Sequence, residues 1–157
     1  MGDRAVLAIR EHQGPLEPGE NDGCAFEAPE NTPPLRQQNL RAASNERTVA
    51  IDATTGRSVT RIVNDFGKNR NLEHGLTTGS TARESYSILP DEPLSAVVET
   101  HWTEELERKD WVARTETFTR MTADADAFHL TARLEAYEGE VLIFSKDYQD
   151  TIPRDLL

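Results

Sequence analysis

The sequence predicts an all-β protein, an antiparallel β-meander or sandwich-like domain set behind a Pro- and Gly-rich irregular segment. Two observations predict it. Between residues 94 and 150, side chains alternate in type with a period of two, and the links between the alternating runs are short and polar. Alternation of that period marks a half-buried strand, and short links join antiparallel neighbours. No segment carries convincing helical periodicity, although residues 104–109 are long enough to close one turn.

Residues 1–11 hold a brief apolar run with Val6, Leu7 and Ile9, read as a remnant strand of a preceding domain. Residues 12–45 follow as an irregular linker, carrying Pro15, Pro18, Pro29, Pro33 and Pro34 with Gly14, Gly19 and Gly23. Clustered Pro and Gly without periodicity favour an extended connection over a folded element. The antiparallel β domain is placed at residues 46–157. Its first two runs flank Ala53-Thr54-Thr55-Gly56, where the glycine supplies the positive φ of a short hairpin. Residues 65–79 read as a loop, 81–88 as a strand, and Pro90 and Pro93 as a stop to pairing. Four long strands follow, around residues 94–103, 111–119, 128–136 and 141–148. Their connections are a charged link at 104–110, an Asp/Ala turn at 123–126 and a glycine turn at 137–140. About seven strands are expected.

The parity of the meander puts Trp102, Trp111, Thr115, Thr117, Phe128, Leu130 and Leu134 on one side, expected to be the buried one. Glu99, His101, Arg114, Glu116, Arg120, His129, Arg133 and Glu135 fall on the other. Mixed charges on neighbouring strands are the ordinary way an exposed antiparallel face is stabilised. The sharper reading makes His101 and His129, with Glu99, Glu116 or Glu135, a metal or acid–base site. The bland reading is favoured, because any two histidines of like parity would satisfy the spacing. Asp124 and Asp126 lack the remainder of a calcium loop and read as a solvated turn.

At 157 residues with a formal net charge of −11, the chain is one domain in length and ill suited to phosphate backbones. Nucleic acid and membrane are not expected as partners. No run approaches the ~20 apolar residues of a membrane span, and the N-terminal apolar run is too short for a signal peptide, so a cytoplasmic protein is expected. Cys24 is the single cysteine and has no basic setting that would activate it. No serine lies on a Gly-x-Ser-x-Gly elbow and no glycine loop is built to cradle phosphate, so neither a catalytic residue nor a cofactor is assigned.

Several runs carry a family resemblance. Asp91-Glu92-Pro93-Leu94-Ser95-Ala96, Glu99-Thr100-His101-Trp102-Thr103, Asp110-Trp111, Arg114-Thr115-Glu116-Thr117, Met121-Thr122-Ala123-Asp124, Leu134-Glu135-Ala136-Tyr137-Glu138-Gly139 and Ile152-Pro153-Arg154-Asp155-Leu156 are among them. Together they look like the C-terminal end of bacterial CocE/NonD-type hydrolases, also called X-Pro dipeptidyl-peptidase-like or cocaine-esterase-like. The likeness extends more thinly through Asn45-Glu46-Arg47-Thr48-Val49 and Thr55-Gly56-Arg57.

In that family an α/β-hydrolase body with a Ser-Asp-His triad is followed by a jelly roll and, in some members, a further β-rich extension. The resemblance implies that this chain is the extension and that residues 5–9 are the last jelly-roll strand. It implies a non-catalytic accessory domain, either a fragment or a separately encoded remnant. Its partner would be a hydrolase body or a second copy. No triad position matches any residue here. The alternative is an independent β module that binds a small apolar ligand through Trp102, Trp111 and Phe128.

Overall fold

The computed structural model describes residues 30–155. The remnant strand expected at residues 5–9 and Cys24 lie outside the described residues. Eight strands run β1 Gln37–Arg41, β2 Ser44–Ile51, β3 Ser58–Asn71, β4 Thr77–Leu89, β5 Glu92–Arg108, β6 Trp111–Ala123, β7 Ala127–Glu138 and β8 Val141–Pro153. They make one antiparallel sheet in the order β1-β3-β4-β5-β6-β7-β8, with β2 also paired to β3. No helix among the described residues is long and apolar enough to cross a membrane.

The fold class read from the sequence holds, and several boundaries move. The β domain begins at β1, within the stretch read as linker. β1 and β2 lie end to end along the same side of β3, β1 against residues 68–71 and β2 against residues 58–65. Their junction at Ala42 and Ala43 sits beside a bulge in β3, where Asp65 pairs with Thr81 and Gly67 with Ser80, leaving Phe66 as the extra residue. Gly67 has φ 82°, and a Cβ there would stand 2.7 Å from Arg41 O and 3.1 Å from Ala43 N. Only glycine lets the two chain segments approach this closely.

Residues 65–79, read as a loop, are the continuous ends of β3 and β4 joined by a six-residue turn. The turn repeats the hairpin between β2 and β3. In the first, Asp52 N donates to Arg57 O at 2.9 Å and Gly56 N to Asp52 O at 2.8 Å; in the second, Asn71 N donates to Leu76 O at 2.8 Å and Gly75 N to Asn71 O at 2.9 Å. The leading side chain organises each turn. Asp52 Oδ1 accepts from Thr54 N and Thr55 N at 3.0 and 2.7 Å, and Asn71 Oδ1 from Glu73 N at 2.8 Å. The charged link at 104–110 is likewise strand: β5 runs to Arg108, and Lys109-Asp110 alone makes the turn, with Lys109 at φ 55°. Pro90 and Asp91 form the β4–β5 turn, and Pro93 lies inside β5.

Directly paired residues of an antiparallel ladder share a face, so the register assigns every side chain. The apolar face carries Ile62, Tyr86, Ala82, Val98, Trp102, Met121, Leu130, Leu134, Phe128, Phe144 and Ile152. Its parity is the one expected; its burial is not. Trp102 is 37% exposed, Met121 38% and Trp111 46%, and Ala82 is the one buried hydrophobic residue among those described. Among the described residues, the expected sandwich has no second layer. Phe66, released by its bulge, stacks on Trp102 with centroids 6.0 Å apart and supplies a little of the missing cover.

Candidate functional site

The polar face is the more elaborately built of the two. Residues of six successive strands, β3 to β8, line a hollow of about 1060 Å³ that includes Arg61, Arg83, His101, Phe118, Arg133 and Asp147. These residues are in register across the sheet or one step from it, so the hollow is the concave side of a curved layer.

At one end of this face, strands β1, β3 and β5 bring five charges together. Arg41 Nη1 donates to Glu105 Oε2 at 2.8 Å, Lys68 Nζ to Glu105 Oε1 at 3.1 Å, and Lys68 also bonds Glu107. Arg41 Nε stands 2.8 Å from Asp65 Oδ2, but its N–H direction misses hydrogen-bond geometry, so this contact is an ion pair only. Burial alone would raise the Glu105 pKa; the bonds from Arg41 and Lys68 outweigh it and hold the carboxyl below its usual range. The Glu107 bond lifts Lys68 above the ordinary ammonium value against the opposing effect of burial. The cluster is fully paired and structural in character.

Nearer the middle, Glu116 is only 7% exposed and gathers three donors. His101 Nε2 lies 2.5 Å from its Oε2, Thr103 Oγ1 donates to the same oxygen at 2.8 Å, and Arg114 Nη1 donates to Oε1 at 2.6 Å. Burial pushes the Glu116 pKa up, yet the His101 and Thr103 bonds and the His101 and Arg114 charges bring it below the usual range. The His101 ring is fixed from its other side by Phe118, stacked with centroids 4.3 Å apart and planes at 15°. Arg114 lies over the Tyr137 ring at 4.3 Å, and Tyr137 Oη donates to Glu135 Oε2 at 2.7 Å, which raises the phenol pKa. The His101 ring, the Thr103 hydroxyl and the Arg114 guanidinium together hold the Glu116 carboxylate in place.

The two histidines singled out from the sequence share this face and do not meet. His101 pairs with Phe118 and His129 with Thr122, so they are separated along the strands by four residues, about 13 Å, and lie on different strands. His129 instead bonds Asp124 Oδ2 at 2.8 Å. Asp124 Oδ1 accepts from the backbone N–H of Asp126 and of Ala127, each at 2.8 Å, which makes residues 124–127 an Asx-type turn. The His129 bond and these two N–H groups lower the Asp124 pKa to about 2. Among the described residues, no group of three or more His, Cys, Asp or Glu is arranged to hold a metal ion.

The ligand-binding candidates Trp102, Trp111 and Phe128 all lie on the apolar face and are not brought to one place. Trp111 opens β6 and Phe128 pairs with Ala123 at its other end, so the full 13-residue strand, about 40 Å, separates them. Phe128 lines a smaller hollow of about 250 Å³ with Leu94, Val98 and Met121, and the Arg154 guanidinium sits 5.2 Å from its ring centroid. Val97, Val112 and Leu142, apolar residues on the otherwise polar face, are scattered along it. The sequence reading missed the ionic cluster of Arg41, Asp65, Lys68, Glu105 and Glu107, because all five lie on segments read as linker, loop or charged link. No family model matches the chain, and neither a curated protein nor a solved structure matches it.

Proposed function

We propose that this chain is a non-catalytic accessory β domain that packs through its apolar face on a hydrolase body of the CocE/NonD type. The observation that carries the reading is a sheet with one apolar face and no second layer over it among the described residues. A sheet with one hydrophobic face is stable when that face is buried against another layer, and contiguous exposed apolar surface marks an interaction site. Tyr86, Val98 and Met121 are in register across β4, β5 and β6 on that face, and Trp102 lies on it four residues further along β5. The resemblance of residues 91–156 to the end of such hydrolases supplies the class of partner. On the polar face, the Arg41, Asp65, Lys68, Glu105 and Glu107 cluster and the Glu116 group already hold opposite charges together.

The test is binding to a separately expressed α/β-hydrolase body followed by its jelly roll, by titration calorimetry. Binding is expected, weakened at least about tenfold by Trp102→Glu or Met121→Glu and unchanged by Arg120→Ala on the polar face. Equal loss from variants on both faces, or turnover of a chromogenic ester by the purified chain alone, overturns the reading.

A further inference from the structure

We infer that β8 is a homodimerisation edge, pairing antiparallel with β8 of a second copy in a register centred on Tyr148. The inference concerns the edge of the sheet and stands independently of what covers its apolar face.

The two borders of the sheet differ. The β1–β2 border is broken at Ala42 and Ala43 beside the β3 bulge, which is a common way for an edge to resist pairing. β8 forms the opposite border, every one of its 13 residues is exposed, and it pairs only with β7 among the described residues. Its straight part is bounded on both sides. The register shift against Ala136 and Tyr137 precedes Phe144, and Pro153, which has no N–H to give a ladder, follows Ile152. Between these limits the outward backbone N–H and C=O groups are a template for strand addition, with the Thr151 N–H held by its neighbour Asp150 Oδ1 at 2.8 Å and Asp150 Oδ2 left for a partner.

Charges on an edge ordinarily oppose such pairing, so the register decides. A two-fold axis normal to the sheet keeps like faces together and must pass through one residue, so that paired positions differ by an even number. Centred on Tyr148, Lys146 faces Asp150 of the second copy and Phe144 faces Ile152 of the second copy, each pair occurring twice. Asp147 and Ser145 then face Gln149 and Thr151 of the second copy. Lys146, Tyr148 and Asp150 all project from the apolar face, opposite Leu134, Ala132 and Leu130 of β7, so the ion pairs and the apolar pairs form on one side.

The neighbouring registers fail. An axis through Lys146, Asp147 or Asp150 sets a like charge against itself, and one through Gln149 sets Lys146 against Ile152. Opposite charges and apolar pairs directly across a ladder each favour association, and like charges oppose it. β8 is therefore complementary to itself in one register.

The experiment uses the full chain and sedimentation over a concentration series. Lys146→Asp and Asp150→Lys alone are each expected to weaken the dimer by about tenfold or more. The double variant, which restores opposite charges across the axis, is expected to return to within about threefold of the parent. That rescue separates a register-specific contact from a folding defect. In a Cys24→Ser background, Tyr148→Cys is expected to form an intermolecular disulfide under mild oxidation, because directly opposed Cα atoms about 4.5–5.5 Å apart suit the bond. A strict monomer overturns the proposal, as do single variants without effect, a double variant that is not rescued, or an edge of β8 protected from hydrogen exchange in a monomer by residues 5–9.

Discussion

Gly79 lies directly beneath the carboxylate of Glu105. The two are paired across the β4–β5 ladder, and a Cβ added to Gly79 would stand 2.8 Å from Glu105 Oε2 and 3.2 Å from Lys68 Cγ. The glycine has ordinary strand backbone, so its role is space. It leaves room on the polar face for the Arg41–Glu105–Lys68 bridge that ties β1, β3 and β5 together across β4.

Gly79→Val is therefore expected to destabilise the sheet by about 1–3 kcal/mol, the usual cost of overpacking a filled site, although valine has the better strand propensity. In a Glu105→Ala background the same change loses its closest clash and meets only the flexible Lys68 stem, so its cost should be clearly smaller. Urea unfolding of the four proteins measures this as a double-mutant cycle. An equal cost in both backgrounds would mean that Glu105 is not what the glycine accommodates.

Glu116 presents the opposite situation, a buried acceptor with its donors supplied from β5 and β6. Removing it in Glu116→Ala leaves His101, Thr103 and Arg114 without their shared partner, and a cost of about 3 kcal/mol is expected. Thr103→Val removes one donor while two remain, and about 1 kcal/mol is expected. The two costs are expected to be strongly non-additive, since after loss of Glu116 the Thr103 hydroxyl has nothing to bond. Chemical denaturation at neutral pH measures all three variants.

Much of this architecture was legible in the residues from 94 onward because one face there is apolar and the other polar, so periodicity reports the strand. The same logic explains what was not legible. In β3, Asp65, Lys68 and Arg70 point to the polar face while Gly67, Asn69 and Asn71 point to the other, and a strand polar on both sides has no alternation to see. Its signal was in the turns: Asp52 and Asn71, each four residues before a glycine, close the same hairpin. β1 was hidden because five short-range residues pair only with the far end of β3. Burial was misjudged for a different reason. Parity says which side chains share a face, whereas a second layer to bury Trp102 or Phe128 has to come from sequence elsewhere. The glutamates of β5 looked like a charged link because their cations, Arg41 and Lys68, come from distant positions in the chain.

The response to acid follows from the carboxylates. Asp52, Asp65, Glu105, Glu116 and Asp124 all have folded pKa values below their ordinary ones. For such a group the stabilisation is complete above the unfolded pKa, about 4 for a carboxylate, and is lost as pH falls through the folded value. Stability is therefore expected to be flat on this account above about pH 5 and to decline progressively below it. The decline extends furthest through Asp124, whose pKa of about 2 lies lowest. Asp124→Asn keeps an oxygen to accept the N–H groups of Asp126 and Ala127 but gives up the charge beside His129. The variant should match the parent turn in structure and lose less stability than the parent between pH 4 and pH 2. Urea midpoints measured across that interval are the check. Parallel curves for the two proteins would show that the Asp124 carboxylate is not what titrates there, and would leave the decline to the paired carboxylates of the polar face.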